Sequence, residues 1–384
     1  MIRQYTGPGN IQQLHSIIKK LDAKRILIVS GKQSYELSGA KEKLKDILDV
    51  TENLRYFDFE ENPKFRDALK GKKIIKDFNP DLIVAIGGGS VMDIAKLLSI
   101  LPDEEVEAEK MIRGEIKVTD KLAPMIAIPT TSGSGSEATH FAVVYINDVK
   151  YSLAADLLIP EYVILDPELT YSVSSYQTAV SGMDALCQGI ESYWAKDATD
   201  ESRSYASEAI TLIFKSIEKA VNSPDPESRL AMSKGSNLAG KAINISKTTA
   251  PHALSYAFTT YHGIPHGHAV ALTLGEFIVF NSEKAFESSD NELKVRMAEL
   301  FELFGCENAF SSRNRFRQIM ASIGLNTTLS EMTNTKVDIH QLADTVNSER
   351  LANHPVIVSK QNIRRITTKI CSAGNFADAY NQFD

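Results

Sequence analysis

The chain has 384 residues, a formal net charge of -7, and 43% hydrophobic and 24% charged residues. That is globular composition with length for about two domains, and it carries no basic footprint for nucleic acid. Its three cysteines, Cys187, Cys306 and Cys371, are too few and too scattered for a disulfide framework, so a reducing compartment is expected.

The first residues show no charged leader feeding an apolar run, so no signal peptide is expected and the location is read as cytoplasmic. No apolar run approaches the ~20 residues that span a bilayer, so no membrane partner is expected. In chain order, residues 25–29 read as a short buried strand ending in Ser30-Gly31, and residues 40–48 have helical spacing. Residues 54–59 read as a strand, 65–78 as a helix, and 81–86 as a buried strand running into Gly87-Gly88-Gly89. A helix over 91–100 and a strand over 124–128 follow. Continuous apolar strands separated by amphipathic helices predict an α/β domain with a parallel sheet covered on both faces. From about Thr178 helix-length segments take over, at 179–194, 200–221, 227–245, 251–258, 294–304 and 314–323. The chain therefore divides into an α/β part, residues 1–178, and an all-α part, residues 179–384.

Gly87-Gly88-Gly89-Ser90 lies between a strand and a helix, where bare backbone can approach a phosphate and a helix N-terminus offers free N–H groups. A tight strand-to-helix turn would use the same residues. The segment 129–137, with Thr130, Thr131 and Ser134, also follows a strand. Two such loops suit a dinucleotide lying across a sheet edge. Neither has the Lys-Ser/Thr ending of a P-loop.

Asp184 and Gln188 are four apart in a predicted helix and share a face. With His252 and His266 they could hold one divalent ion and leave a position open for a substrate oxygen. Spacing alone does not exclude His262 or His268, which flank His266; in strand geometry His266 and His268 would share a face.

Four segments together resemble the iron-dependent (group III) alcohol dehydrogenase family. They are Gly87 to Lys96, Pro129 to Thr139, Asp166 to Thr170 leading to Ser181-Gly182-Met183-Asp184-Ala185-Leu186, and His252-Ala253-Leu254 with Pro265-His266-Gly267. The resemblance implies a Rossmann-like N-terminal domain and a helical metal-binding domain, the architecture shared with dehydroquinate synthases. It also implies an NADPH or NADH cofactor, bound by Gly31, Gly87, Gly88, Gly89, Ser90, Asp93, Thr130, Thr131 and Ser134. One divalent metal, Fe2+ or Zn2+, is implied on Asp184, Gln188, His252 and His266. A homodimer is expected.

Two positions depart from the family pattern. Gln188 stands where a histidine is usual, which replaces an imidazole nitrogen by a weaker amide oxygen. Tyr256 stands where the family has a second histidine for proton relay; its hydroxyl could serve instead. The strings around Gln188 to Trp194, Ser246 to Leu254 and Gly263 to Val270 resemble the phosphonoacetaldehyde reductases within the family. On that reading Lys247, Thr248 and Thr249, at a helix start, hold a phosphonate. Lys150 and Arg350 are further candidate cations. A solvated Lys247 beside a threonine N-cap is the structural alternative. The competing functions are reduction of an uncharged short-chain aldehyde or diol, a lyase or synthase of the same fold, and a non-catalytic nucleotide-binding protein. At the end of the strand over 25–29, Gly31 stands where an acidic residue would select NADH, so NADPH is expected to be accepted, with Lys32 or Ser34 near its 2′-phosphate.

Overall fold

A computed structural model of the chain describes residues 2–147, 149–288, 291–332, 338–346 and 351–371. Six strands form one parallel sheet: β1 (Arg3–Thr6), β2 (Arg25–Ser30), β3 (Glu52–Tyr56), β4 (Leu82–Gly87), β5 (Met125–Pro129) and β8 (Tyr162–Leu165), in the order β1-β8-β5-β4-β2-β3. The central strands are apolar throughout because both faces are covered. Leu27 and Val29 of β2 enter one core with Ile83 and Ala85 of β4, while Ile26 and Ile28 enter the opposite core with Leu82, Val84 and Ile86. Helices α1 (Gln13–Leu21), α2 (Phe65–Lys76), α3 (Gly89–Ile100) and α4 (Glu105–Ile112) connect these strands. Residues 40–48 are two single helical turns that meet at Leu44. An antiparallel hairpin, β6 (Phe141–Ile146) and β7 (Val149–Ala154), stands apart from the main sheet.

The helical part begins at Ser175. It comprises α5 (Ser175–Trp194), α6 (Asp200–Asn222), α7 (Pro226–Ser246), α8 (Ala250–His262), α9 (His266–Glu287), α10 (Asn291–Leu303), α11 (Ala309–Ser322), α12 (Ile339–Thr345) and α13 (Lys360–Cys371). The N-termini of α5, α6 and α7 are set by side-chain caps. Ser174 accepts from Gln177 N at α5, and Thr199 and Asp225 form capping boxes at α6 and α7. Helix α5 is buried along nearly all its length and packs against α6, α7, α9 and α10. Among the described residues no helix is long and apolar enough to cross a membrane.

The parts meet at glycines. Gly135, at φ 60°, lies so close to α7 that a Cβ there would fall 2.6 Å from Gly240 Cα. A Cβ on Gly133 would fall 2.6 Å from Ser181 Cβ. Bare backbone therefore seats the loop after β5 directly on α5 and α7.

Helix α9 and the hairpin β6–β7 were not among the predicted elements. Helix α9 is buried on all sides from Gly267 to Ser282, polar Glu276 and Asn281 included, so its sequence has no clear 3.6-residue stripe to read. It also removes the strand alternative at its start. Two positions apart on a helix lie roughly 200° apart around the axis, so His266 and His268 point apart.

Candidate metal centre and cofactor cleft

Asp184 on α5, His252 on α8 and His266 at the first position of α9 converge, with one ligand atom from each within 4.8 Å of the others. His252 Nε2 is 3.3 Å and His266 Nε2 3.9 Å from Asp184 Oδ1. Gln188 lies one turn further along α5. Asp184 Oδ1, Gln188 Oε1 and His252 Nε2 are all buried and have no hydrogen-bond partner among the described residues. Burying such atoms unsatisfied is costly, and a divalent cation would satisfy all of them together, so the donor set fits the implied metal. The side chains of Asp184 and His252 are 12% and 5% exposed and that of His266 is 34% exposed, so the open side of the site is the His266 side. His262, at the end of α8, is not among these donors. His268 is buried with its Nε2 2.8 Å from Asn326 O, which removes it as a ligand.

Glu191, which was not singled out from the sequence, completes the site from behind. It lies on α5 seven residues after Asp184, fully buried. Its Oε1 accepts from Thr249 N at 3.2 Å, Thr249 Oγ1 at 2.9 Å and His252 N at 3.2 Å, and its Oε2 accepts from His252 Nδ1. A carboxylate on Nδ1 fixes the proton there and turns the Nε2 lone pair toward Asp184, the outer arrangement of many metal-bound histidines. His266 is oriented similarly. The Ser255 hydroxyl donates to His252 O at 2.8 Å and so presents its oxygen to His266 Nδ1, 3.3 Å away. Burial opposes charge on His252, but Glu191 and Asp184 outweigh it and push the imidazole up to about 10. Asp184 is held below the usual carboxylate range despite its burial, chiefly by His252 and His266. A metal must displace that proton, so its affinity should fall as the pH is lowered.

Gln188 offers an amide oxygen where an imidazole would be the stronger ligand for late divalent ions. Gln188→His is therefore expected to retain Fe2+ or Zn2+ against a chelator at concentrations that strip the unmodified protein. Weaker retention in that variant would put position 188 outside the ligand set.

The cofactor-binding candidates line up along the carboxyl ends of the parallel strands. Gly31 follows β2, Gly87 ends β4, and Thr130, Thr131 and Ser134 follow β5. Strands β2 and β4 are neighbours whose onward connections run to opposite sides of the sheet, the topological switch point at which dinucleotides bind. Gly88 caps α3. A Cβ on Gly88 would lie 3.3 Å from Thr131 Oγ1, and one on Gly89 2.9 Å from Ser134 Oγ, so the two loops interlock. The Ser90 hydroxyl accepts from Asn62 N at 3.3 Å. Asp93 accepts from Ser136 Oγ at 3.0 Å and is pushed up to about 6 by burial, against the pull of Lys96. Arg55 of β3, also unrecognised from the sequence, donates to Ser30 Oγ at 2.7 Å and to Gly31 O at 2.9 Å, with its guanidinium 4.4 Å from the Tyr35 ring centre. It places a fixed cation beside Gly31.

The candidate phosphonate ligands divide. Thr249 is fully buried; its hydroxyl donates to Glu191 and accepts from Trp194 Nε1 at 3.0 Å. That corrects the expectation that Thr249 binds an anion, because the hydroxyl is spent behind His252. Lys247 is exposed and sits at φ 59° and ψ 178° after α7. The turn is clamped by Asn353, whose Nδ2 donates to Ser246 O at 2.7 Å and to Thr248 O at 3.1 Å. Tyr256 stacks on His266, with ring centres 5.4 Å apart and planes 10° apart. Lys150 Nζ lies 3.6 Å from the centre of the Tyr256 ring. Arg350 lies outside the described residues.

Residues 3–167 match the family model for iron-containing alcohol dehydrogenases, and residues 178–371 match the model for the C-terminal part of the same family. A long-chain-alcohol dehydrogenase of Geobacillus thermodenitrificans is 30% identical over 376 residues, covering 94% of this chain and 93% of that protein. A phosphonoacetaldehyde reductase of Streptomyces viridochromogenes is 34% identical over 218 residues, 54% of this chain and 55% of that protein. The crystal structure of a sulfoacetaldehyde reductase from Bifidobacterium kashiwanohense in complex with NAD+ superposes with a TM-score of 0.88 at 29% identity, covering 97% and 98% of the two chains.

Proposed function

The chain belongs to the iron-containing alcohol dehydrogenase family, and we propose that it reduces phosphonoacetaldehyde to 2-hydroxyethylphosphonate with NAD(P)H and one divalent metal. The observation that carries the reading is the set of buried, unpartnered donor atoms on α5 and α8. It lies one helical turn from Ser181, on which the glycine-rich loop after β5 is seated. The substrate then lies between the two parts of the chain.

On this reading Asp184, Gln188, His252 and His266 hold the ion, Fe2+ or Zn2+. The ion supplies Lewis-acid pull on the aldehyde oxygen, and the nicotinamide supplies the hydride. The loops at Gly87 to Ser90 and at Thr130, Thr131 and Ser134 bind the cofactor phosphates through backbone N–H groups and hydroxyls. Asp93 faces the nicotinamide end. Gly31 leaves room at the adenosine end, where Arg55 stands as the cation for a 2′-phosphate, so NADPH is accepted. Tyr256, at the half-exposed edge of the donor set, passes a proton from solvent to the oxygen as it gains charge. Lys247 adds positive charge at the cleft mouth. A homodimer in the cytoplasm belongs to the same reading.

Support for an anionic aldehyde comes from the likeness to two proteins named for phosphonoacetaldehyde and sulfoacetaldehyde reduction. The near full-length likeness to a long-chain-alcohol dehydrogenase favours a second reading, an uncharged alcohol, aldehyde or diol. Oxidation of NADPH and NADH in the presence of phosphonoacetaldehyde or propionaldehyde separates them. The expected result is turnover with NADPH and a higher kcat/KM for the phosphonate aldehyde. Equal kcat/KM for the two aldehydes would leave the uncharged reading.

A further inference from the structure

We propose that Asn353 is a positioning residue for the metal centre, acting by holding a strained turn at Lys247 from which the helix of His252 sets out. The inference deepens the metal reading above and rests on it. Only Lys247, Thr248 and Thr249 join α7 to α8. The chain passes through them with Lys247 at φ 59° and ψ 178°, a combination left almost entirely to glycine, which has no Cβ to crowd the backbone there. The other non-glycine residues with positive φ among the described residues are Asp22, Asn62, Asn79 and Asn147, types that tolerate the left-handed region. Lys247 is of another type and is exposed, so its turn has to be held through the backbone around it.

Asn353 provides that hold. It is buried, and its Nδ2 donates to Ser246 O at 2.7 Å and to Thr248 O at 3.1 Å, one carbonyl on each side of Lys247. Its own place is fixed by the chain just beyond α5: its Oδ1 accepts from Asp197 N at 3.1 Å and its carbonyl from Lys196 N at 3.0 Å. The next residue, His354, is fully buried against the rings of Trp194 on α5 and Phe277 on α9, with Nε2 2.7 Å from Asn281 Oδ1. The clamp therefore stands on the two helices that carry Asp184, Gln188 and His266.

What the turn delivers is Thr249 and the start of α8. Before the turn, the Ser246 hydroxyl donates to Ser192 Oγ of α5 at 2.7 Å. After it, Thr249 N and Oγ1 donate to Glu191 Oε1, the carboxylate that also receives His252 N and Nδ1. If Lys247 relaxed to a negative φ, the chain would enter α8 in another direction. Thr249 would then leave Glu191, and His252 Nε2 would turn from Asp184; a site that loosens by about 1 Å loses its ligand geometry. Glycine at 247 has no such strain to release and keeps the turn without a clamp. The need for Asn353 is therefore tied to the Cβ of residue 247, which a general packing role would not be.

The test measures Zn2+ affinity of the full-length protein by competition with a chromophoric chelator. The variants are Asn353→Ala, and Asn353→Ala combined with Lys247→Gly or with Lys247→Ala. Affinity is read rather than turnover because both changes at 247 also remove a charge at the cleft mouth. Loss of a group that orients a metal ligand weakens binding by about 10- to 100-fold, and that fall is expected in Asn353→Ala. Adding Lys247→Gly should restore most of the affinity. Adding Lys247→Ala removes the same charge but keeps a Cβ, so that double variant should stay as weak as Asn353→Ala. If the unmodified protein does not bind Zn2+, the metal reading and this inference fall together. If it binds and Asn353→Ala binds equally well, Asn353 alone is overturned. Failure of glycine to restore affinity, or equal restoration by alanine, would also overturn the clamp. Should Asn353→Ala not fold, the double variant with Lys247→Gly decides: a folded, Zn2+-binding protein supports the clamp, and an unfolded one makes Asn353 a general stability residue and overturns it.

Discussion

His266→Ala should lose its metal and its turnover together. The variant leaves one imidazole, one carboxylate and one amide oxygen, and the amide is already the weakest member of the set. Removing a partner that merely orients a ligand typically costs 10- to 100-fold in affinity, so loss of the ligand itself should cost more. The fold should survive, because the His266 side chain is 34% exposed and the core of the helical part is built elsewhere. Elemental analysis after gel filtration checks this directly. Full metal content in a folded His266→Ala protein would remove His266 from the ligand set.

Gly267→Ala should act on the same centre without touching a donor atom. A Cβ at Gly267 would lie 2.1 Å from Val180 O and 2.9 Å from Asp184 Cβ. The first of these is helix backbone in the middle of α5, which cannot swing aside, so the start of α9 has to withdraw. His266 withdraws with it, and a site that loosens by about 1 Å loses the geometry a ligand set requires. The expected loss of metal affinity is at least 10-fold, accompanied by about 1–3 kcal/mol of stability from overpacking. Gly275→Ala is the control on the same helix. Its new Cβ would come closest to Arg313 Cγ, at 3.1 Å, part of a side chain that can move, with the nearest backbone atom 4.0 Å away. Affinity and thermal midpoint measured together separate the cases. An unchanged metal affinity in Gly267→Ala would mean that α9 does not need its close approach to α5 to place His266.

These residues differ in how far the sequence alone reveals them. The buried strands β2, β4 and β5 are continuous apolar runs because cores lie on both faces, and that is readable. Strand β1 is an edge strand with an exposed start, and β8 has four residues, so neither has enough pattern to stand out. The hairpin did leave a signal: a run rich in β-branched and aromatic residues over Phe141–Ile146, followed by an Asn-Asp pair at 147–148, with Asn147 at φ 49°. Within the site, Asp184 and Gln188 are legible as neighbours on one helical face, whereas His252 and His266 rest on motif resemblance. Glu191 is also on that face, seven residues from Asp184, but a lone glutamate there gives no hint that it meets His252. Arg55 and Lys150 matter only through tertiary contacts, with Gly31 across two parallel strands and with Tyr256 across the cleft, and no local spacing encodes either.

The central claim is that a divalent ion on this donor set is required for NAD(P)H-linked reduction of an aldehyde. It is tested most directly by following NADPH oxidation with phosphonoacetaldehyde before chelation, after it, and after adding back Fe2+ or Zn2+. Turnover is expected in the loaded protein, none after stripping, and recovery with one equivalent of metal per chain. Undiminished turnover in protein shown by elemental analysis to be free of metal would contradict it.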